Sequence, residues 1–157
     1  MFVVATIALV LDQGTKWWAE TALTGREPIP VLGEFLQFRL LYNSGAAFSL
    51  GSGLTWIFTI AAAIAVVAMI RFAFRITSPT WAIALGMLLG GATTHLLDRL
   101  FRPPAFAVGH VVDFIDYNGW FVGNVADIAL VVGACLLVLL TLLGSEPSSA
   151  KNSEPAD

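Results

Sequence analysis

Several ionisable side chains sit inside or beside strongly apolar sequence. Asp12 and Lys16 are spaced i,i+4 in one apolar run, so on a helix they share a face and can pair. His95, Asp98 and Arg99 close a second run, and Asp113, Asp116 and Asp127 follow in GHVVDFID and GNVADIAL. Two carboxylates brought together at an apolar boundary cannot both ionise cheaply, so they share a proton. One can then draw a proton from water while the other protonates a carbonyl oxygen or a leaving amine. Spacing leaves open which two would meet, Asp113 with Asp127 or Asp98 with Asp127. A metal site would take His95, Asp98 and His110, but two histidines and an H-x2-D spacing make a weak ligand set. Simpler roles compete at each position: a locking Asp12–Lys16 ion pair, Asp127 favoured by a helix dipole in a first turn, and Arg99 snorkelling from a helix end.

Composition dictates the elements that must hold these groups. Of 157 residues, 57% are hydrophobic and 12% charged, with a mean hydropathy of +0.81. Soluble domains carry about 25% charge, so a solvated globule and a disordered chain are excluded. The net charge of −3 provides no basic surface for nucleic acid. A single cysteine, Cys135, excludes an internal disulfide and a Cys-cluster metal site; lying mid-way along an apolar run, it is expected to be a buried small hydrophobe.

A helix crossing ~30 Å of hydrocarbon needs about 20 mostly apolar residues. Residues 2–19, 54–74, 80–97 and 125–143 answer that description. The first lacks a basic leader and an Ala-x-Ala cleavage site and contains Asp12 and Lys16, so it is expected to be a retained anchor. The expected fold class is an all-α membrane protein with four transmembrane helices. Between the first two, Val31–Ser49 is broken by Gly33, Asn43 and Gly45 and is expected to form a small β-like segment of short strands and turns. Asp98–Asn124 is a second long connection. Residues 1–143 are expected to form one integral-membrane domain and 144–157 a disordered polar tail. Gly86, Gly90 and Gly91 should permit close helix contact, and the five tryptophans fit an interfacial belt. Basic residues are split between the two sides of such a bundle, so charge alone does not orient it.

Five blocks occur in order along the chain: DQGTK (Asp12–Lys16), YNSGAAFS (Tyr42–Ser49), GGATTHLLDR (Gly90–Arg99), GHVVDFID (Gly109–Asp116) and GNVADIAL (Gly123–Leu130). Over about residues 2–143 this series closely resembles the bacterial lipoprotein signal peptidases, or signal peptidase II. The resemblance implies an aspartic endopeptidase of the bacterial inner membrane, which removes the signal peptide of a prolipoprotein just before a cysteine bearing diacylglycerol. It places the catalytic aspartates at Asp113 and Asp127. Supporting residues fall at Asp12, Lys16, Asn43, Gly45, Asp98, Arg99, Asn124 and Ala126.

The implied partners are diacylglyceryl-modified prolipoproteins and membrane lipid, with no cofactor, no metal and no nucleic acid. The implied enzyme is a monomer with cytoplasmic termini and an active site and β-like segment near the extracytoplasmic face. Two positions depart from the family pattern: Thr94-His95 stand where Gly-Asn is usual, and Gly123 where Phe is usual. As a neutral imidazole, His95 could supply one donor and one acceptor in place of that Asn. A different class, a small proton-coupled transporter or channel subunit with a relay through Asp12, Lys16 and Asp127, fits the buried charges alone. Two long connections and the lack of an internal repeat weigh against it.

Overall fold

The fold was obtained as a computed structural model, which describes residues 1–45 and 55–148. Ala46–Ser49 of the YNSGAAFS block, Leu54 and tail residues 149–157 lie outside the described residues. The chain runs α1 (Phe2–Leu23), β1 (Ile29–Leu32), β2 (Leu36–Asn43), α2 (Thr55–Ala73), α3 (Pro79–Phe101), β3 (Val111–Tyr117), β4 (Phe121–Gly123) and α4 (Val125–Leu142). Helices dominate, and the four strands form one antiparallel sheet in the order β1-β2-β3-β4.

Helix α3 is the hub, packing against α1, α2 and α4. Small residues let it do so. A Cβ on Gly90 would lie 2.7 Å from Ala8 Cβ and 2.8 Å from the Ala5 carbonyl, and one on Gly91 would lie 2.7 Å from Leu130 Cγ. Backbones this close gain dispersion contacts that do not depend on excluding water, the main attraction available between helices in lipid.

The burial pattern is inverted relative to a soluble domain. The fully buried side chains include Asp12, Lys16, Thr94, Asp98, Asp113 and Asn124, while Phe, Ile, Val and Leu along α2 and α4 face outward. Among the described residues, three helices, Thr55–Ala73, Pro79–Phe101 and Val125–Leu142, are long and apolar enough to cross a membrane. The outward apolar faces and buried charges make this a membrane protein. Cys135, expected to be buried, is exposed on α4: it belongs to the apolar outer face, where a small hydrophobe is equally suited to lipid.

Two expectations change with the structure. Strands arise not only between α1 and α2 but also, as β3 and β4, in the connection preceding α4. Helix α3 also continues past Leu97 through Asp98 and Arg99 to Phe101, because partners within the protein meet both charges. The sheet is seated on the end of α1 by three rings, Trp18, Phe38 and Phe114, with centroids 5.2–6.3 Å apart. At the opposite end, the Pro147 carbonyl accepts from the Thr77 and Ser78 amides, and Trp81 Nε1 donates to the Ser145 carbonyl. The head of the polar tail is therefore held against the α2–α3 turn.

Candidate active site

Four elements bring Asp113 and Asp127 to one cavity. Asp113 is on β3, and Asp127 is the third residue of α4. Between them, the Tyr117–Phe121 turn and β4 reverse the chain so that α4 starts under the sheet. The Asp116 carboxylate steadies that turn, accepting from the Gly119 amide at 2.7 Å and pairing with Arg39 Nε at 2.9 Å. Asp116 thus pins the sheet and does not line the cavity. A cavity of about 70 Å³ is lined by Asn43, His95, Arg99, Val111, Asp113, Phe121 and Asp127, well above the ~10–15 Å³ one water requires. Of the two pairings that spacing left open, Asp113 is the one that shares a cavity with Asp127.

Asp113 is only 2% exposed. Asn43 Nδ2 donates to its Oδ2 at 2.9 Å, and Asn124 Nδ2 donates to its Oδ1 at 2.6 Å. Burial, reinforced by the nearby Asp127 charge, pushes its carboxyl up to about 6 against the pull of both amides and of His95. Asp127 is held twice. Its Oδ2 accepts the Asn124 amide at 2.9 Å, and its own amide donates to Asn124 Oδ1 at 3.1 Å, a reciprocal helix cap. Its Oδ1 lies 3.2 Å from His95 Nε2. Capping and cavity lining are therefore two duties of one carboxylate.

Behind the cavity lies an ion network built on α1 and α3. Lys16 Nζ sits 2.6 Å from Asp12 Oδ2 and 2.7 Å from Asp98 Oδ2, with all three side chains buried. Asp12 Oδ1 accepts the Ala126 amide at 2.8 Å, and Asp98 Oδ2 accepts the Val112 amide at 3.4 Å. Each network carboxylate thus holds the backbone N–H of the residue just before one cavity aspartate. Lys16 ties the two together. Gln13 Nε2 and Arg102 Nε both donate to Asp98 Oδ1, and Arg102 extends to Glu20 at 2.6 Å.

The Asp12–Lys16 pair expected from spacing is present, enlarged by Asp98. Gln13, Glu20 and Arg102 join it without having been singled out. Their signal was positional: Glu20 lies four residues beyond Lys16, and Arg102 four beyond Asp98. The proposed metal set does not converge, since His95 faces Asp127 while Asp98 faces Lys16 and Arg102.

Arg99 does not snorkel. It is 7% exposed, donates from Nη1 to the Ser44 and Gly109 carbonyls, and lies 5.5 Å over the Phe58 ring. The Gly45 amide donates to Asn43 Oδ1 at 2.7 Å. A Cβ on Gly45, whose φ is +91°, would stand 2.8 Å from Phe58 and 2.9 Å from Arg99. Only glycine fits that left-handed turn against the guanidinium.

Comparison with known proteins places the chain in a family. The family described as signal peptidase (SPase) II matches residues 4–143. The chain belongs to the signal peptidase II family. It is accordingly a membrane-embedded aspartic-type signal peptidase, a hydrolase. Among its relatives, the lipoprotein signal peptidase of Rhodococcus jostii is 43% identical over 96% of this chain and 76% of its own length. That of Mycobacterium avium is 44% identical over 98% and 85%. A solved bacterial membrane enzyme superposes with a TM-score of 0.78 at 26% identity, over 99% of this chain and 92% of that one.

Of the positions expected to depart from the family pattern, Thr94 and Gly123 both fit their surroundings. Thr94 is wholly buried and returns its hydroxyl to the Gly91 carbonyl at 3.0 Å, so it leaves no orphan donor. Gly123 lies against the site itself: a Cβ there would fall 2.6 Å from the Phe121 ring and 2.9 Å from Asp127 Oδ2. Phe121, two residues earlier, lines the cavity in this chain.

Proposed function

We propose that this protein removes the signal peptide from diacylglyceryl-modified prolipoproteins, cutting before the lipidated cysteine. Asp113 and Asp127 act as a water-activating pair. The observation that carries this reading is the shared cavity, which two carboxylates, one from β3 and one from α4, line together with room for a water. With one proton between them, one carboxylate takes a proton from the attacking water as the other protonates the scissile carbonyl oxygen. Collapse of the tetrahedral intermediate then passes a proton to the departing amine. No acyl-enzyme forms. Asn43 and Asn124 orient Asp113, while Arg99 and Gly45 shape the wall that receives the substrate backbone.

An open apolar groove of about 420 Å³ shares Asp127 and Phe121 with the polar cavity and continues past Tyr117, Ile128, Val131 and Val132. It supports lateral entry of an apolar substrate segment from lipid. At 22 residues, α1 is about 33 Å long, enough for a fourth span, with its charges turned inward onto α3 and α4. Residues 1–143 then form one integral-membrane unit, working as a monomer in the bacterial inner membrane. The sheet and cavity lie at the extracytoplasmic face and both termini in the cytoplasm. The transporter alternative lacks support at its relay: Asp12 and Lys16 are held by each other and by Asp98, away from the cavity.

The test is cleavage of a diacylated prolipoprotein by purified protein in detergent or bilayer. Asp113→Asn and Asp127→Asn should each abolish cleavage while leaving expression and membrane insertion intact. Normal turnover by either variant would overturn the pairing.

A further inference from the structure

His95 occupies a position that the dyad reading does not require, yet its ring lines the reacting cavity and meets one of the two aspartates. Helix α3 carries it one turn before Arg99, facing the first turn of α4. Its Nε2 lies 3.2 Å from Asp127 Oδ1, and the other oxygen of that carboxylate already accepts the Asn124 amide at 2.9 Å. A backbone N–H can only donate, so Oδ2 is an acceptor. With Nε2–H turned toward Oδ1, both oxygens of Asp127 face N–H groups, which fixes the orientation of the carboxylate in the cavity. Asp113 is the more deeply buried partner, 2% exposed against 26% for the Asp127 side chain, and burial disfavours its charge.

We infer that His95 is a positioning residue that fixes Asp127 as the base of the pair, leaving Asp113 to carry the shared proton. The inference rests on the Asp113/Asp127 reading. In the resulting step, water gives its proton to Asp127 and its oxygen to the carbonyl carbon, while Asp113 transfers its proton to the carbonyl oxygen; charge and atoms balance without another reactant. His95 touches only Asp127. It aims the carboxylate at the cavity, so its loss should slow the chemical step and leave substrate binding unchanged.

The experiment uses the full-length protein with a diacylated prolipoprotein substrate, comparing His95→Ala, His95→Gln and His95→Glu by kcat and KM. Removing the imidazole contact with Asp127 should lower kcat by roughly tenfold to a hundredfold, with KM within about twofold of wild type. His95→Gln, whose amide can reach Asp127 as a donor, should recover most of the loss. His95→Glu is nearly the same size as Gln but presents a carboxylate, and should be at least as impaired as His95→Ala. The side chain is one-fifth exposed, so truncation is compatible with folding, and the Gln/Glu pair keeps the test intact if the Ala variant is unstable. Wild-type kcat in His95→Ala, or equal kcat in the Gln and Glu variants, would overturn the inference. Failure of the underlying pair reading would show separately, as turnover by Asp113→Asn or Asp127→Asn.

Discussion

Asp113 should be a liability for the fold as well as a reagent, and Asp113→Asn measures that burden. Its carboxyl is raised from 3.8 to about 6, so the folded state disfavours the ionised form. The sign follows: the unfavourable contribution is fully present above about pH 6 and is relieved as pH falls through 6 toward 3.8. That displacement corresponds to about 3 kcal/mol at its limit. Over an accessible range, wild type should gain on the order of 1 kcal/mol between pH 8 and pH 5, and about 2 kcal/mol by pH 4.

The Asn variant cannot titrate at this position and lacks that gain. It also carries a fixed cost, because one amide oxygen replaces two acceptors facing Asn43 Nδ2 and Asn124 Nδ2. A stranded donor costs roughly 1–3 kcal/mol. That cost is the same at every pH and cancels when the variant-minus-wild-type difference is followed against pH. Thermal unfolding in detergent, read by tryptophan fluorescence, should show that difference moving in favour of the variant by about 3–6 °C between pH 5 and pH 8. A difference that stays constant, or that favours the variant more as pH falls, would refute a desolvated Asp113.

Other outcomes follow from the same contacts. Lys16→Met leaves Asp12 and Asp98 buried against each other's charge and should cost roughly 3–5 kcal/mol; adding Asp12→Asn should restore part of it, both read by thermal unfolding. Gly90→Leu drives a side chain into Ala8 Cβ and the Ala5 carbonyl and should lower stability by about 1–3 kcal/mol in the same measurement. Gly14 is exposed on α1, and a Cβ there would meet nothing within 4 Å, so Gly14→Ala should be neutral or gain up to about 1 kcal/mol. Gly45→Ala pushes Arg99 and Phe58 away from the cavity wall, and a displacement of that size should lower prolipoprotein cleavage by roughly a hundredfold.

What could be read from the chain and what could not divide along physical lines. Helices announce themselves by apolar length, so α2 and α4 were legible to within a residue or two at each end. The end of α3 was not, because Asp98 and Arg99 look like an exit into water when their partners are invisible. Those partners lie on α1, in the Ser44 carbonyl and in the Gly109 carbonyl, and no local pattern reports contacts so distant. Strand β3 escaped for the opposite reason. Five of the seven residues of VVDFIDY are buried and none is exposed, so the period-two alternation that marks a half-exposed strand is absent.

The cavity residues were named from a series of motifs rather than from geometry; spacing alone left Asp98 and Asp113 equal candidates to face Asp127. The ion network separates them. Asp98 is matched by Lys16, Gln13 and Arg102 and turned toward the Val112 amide, whereas the carboxylate of Asp113 accepts from two neutral side-chain amides and can take and release a proton. The same set of buried charges thus sorts its carboxylates by their partners: Asp12 and Asp98, facing cations, stay behind the cavity, and Asp113 and Asp127, facing amides and an imidazole, line it.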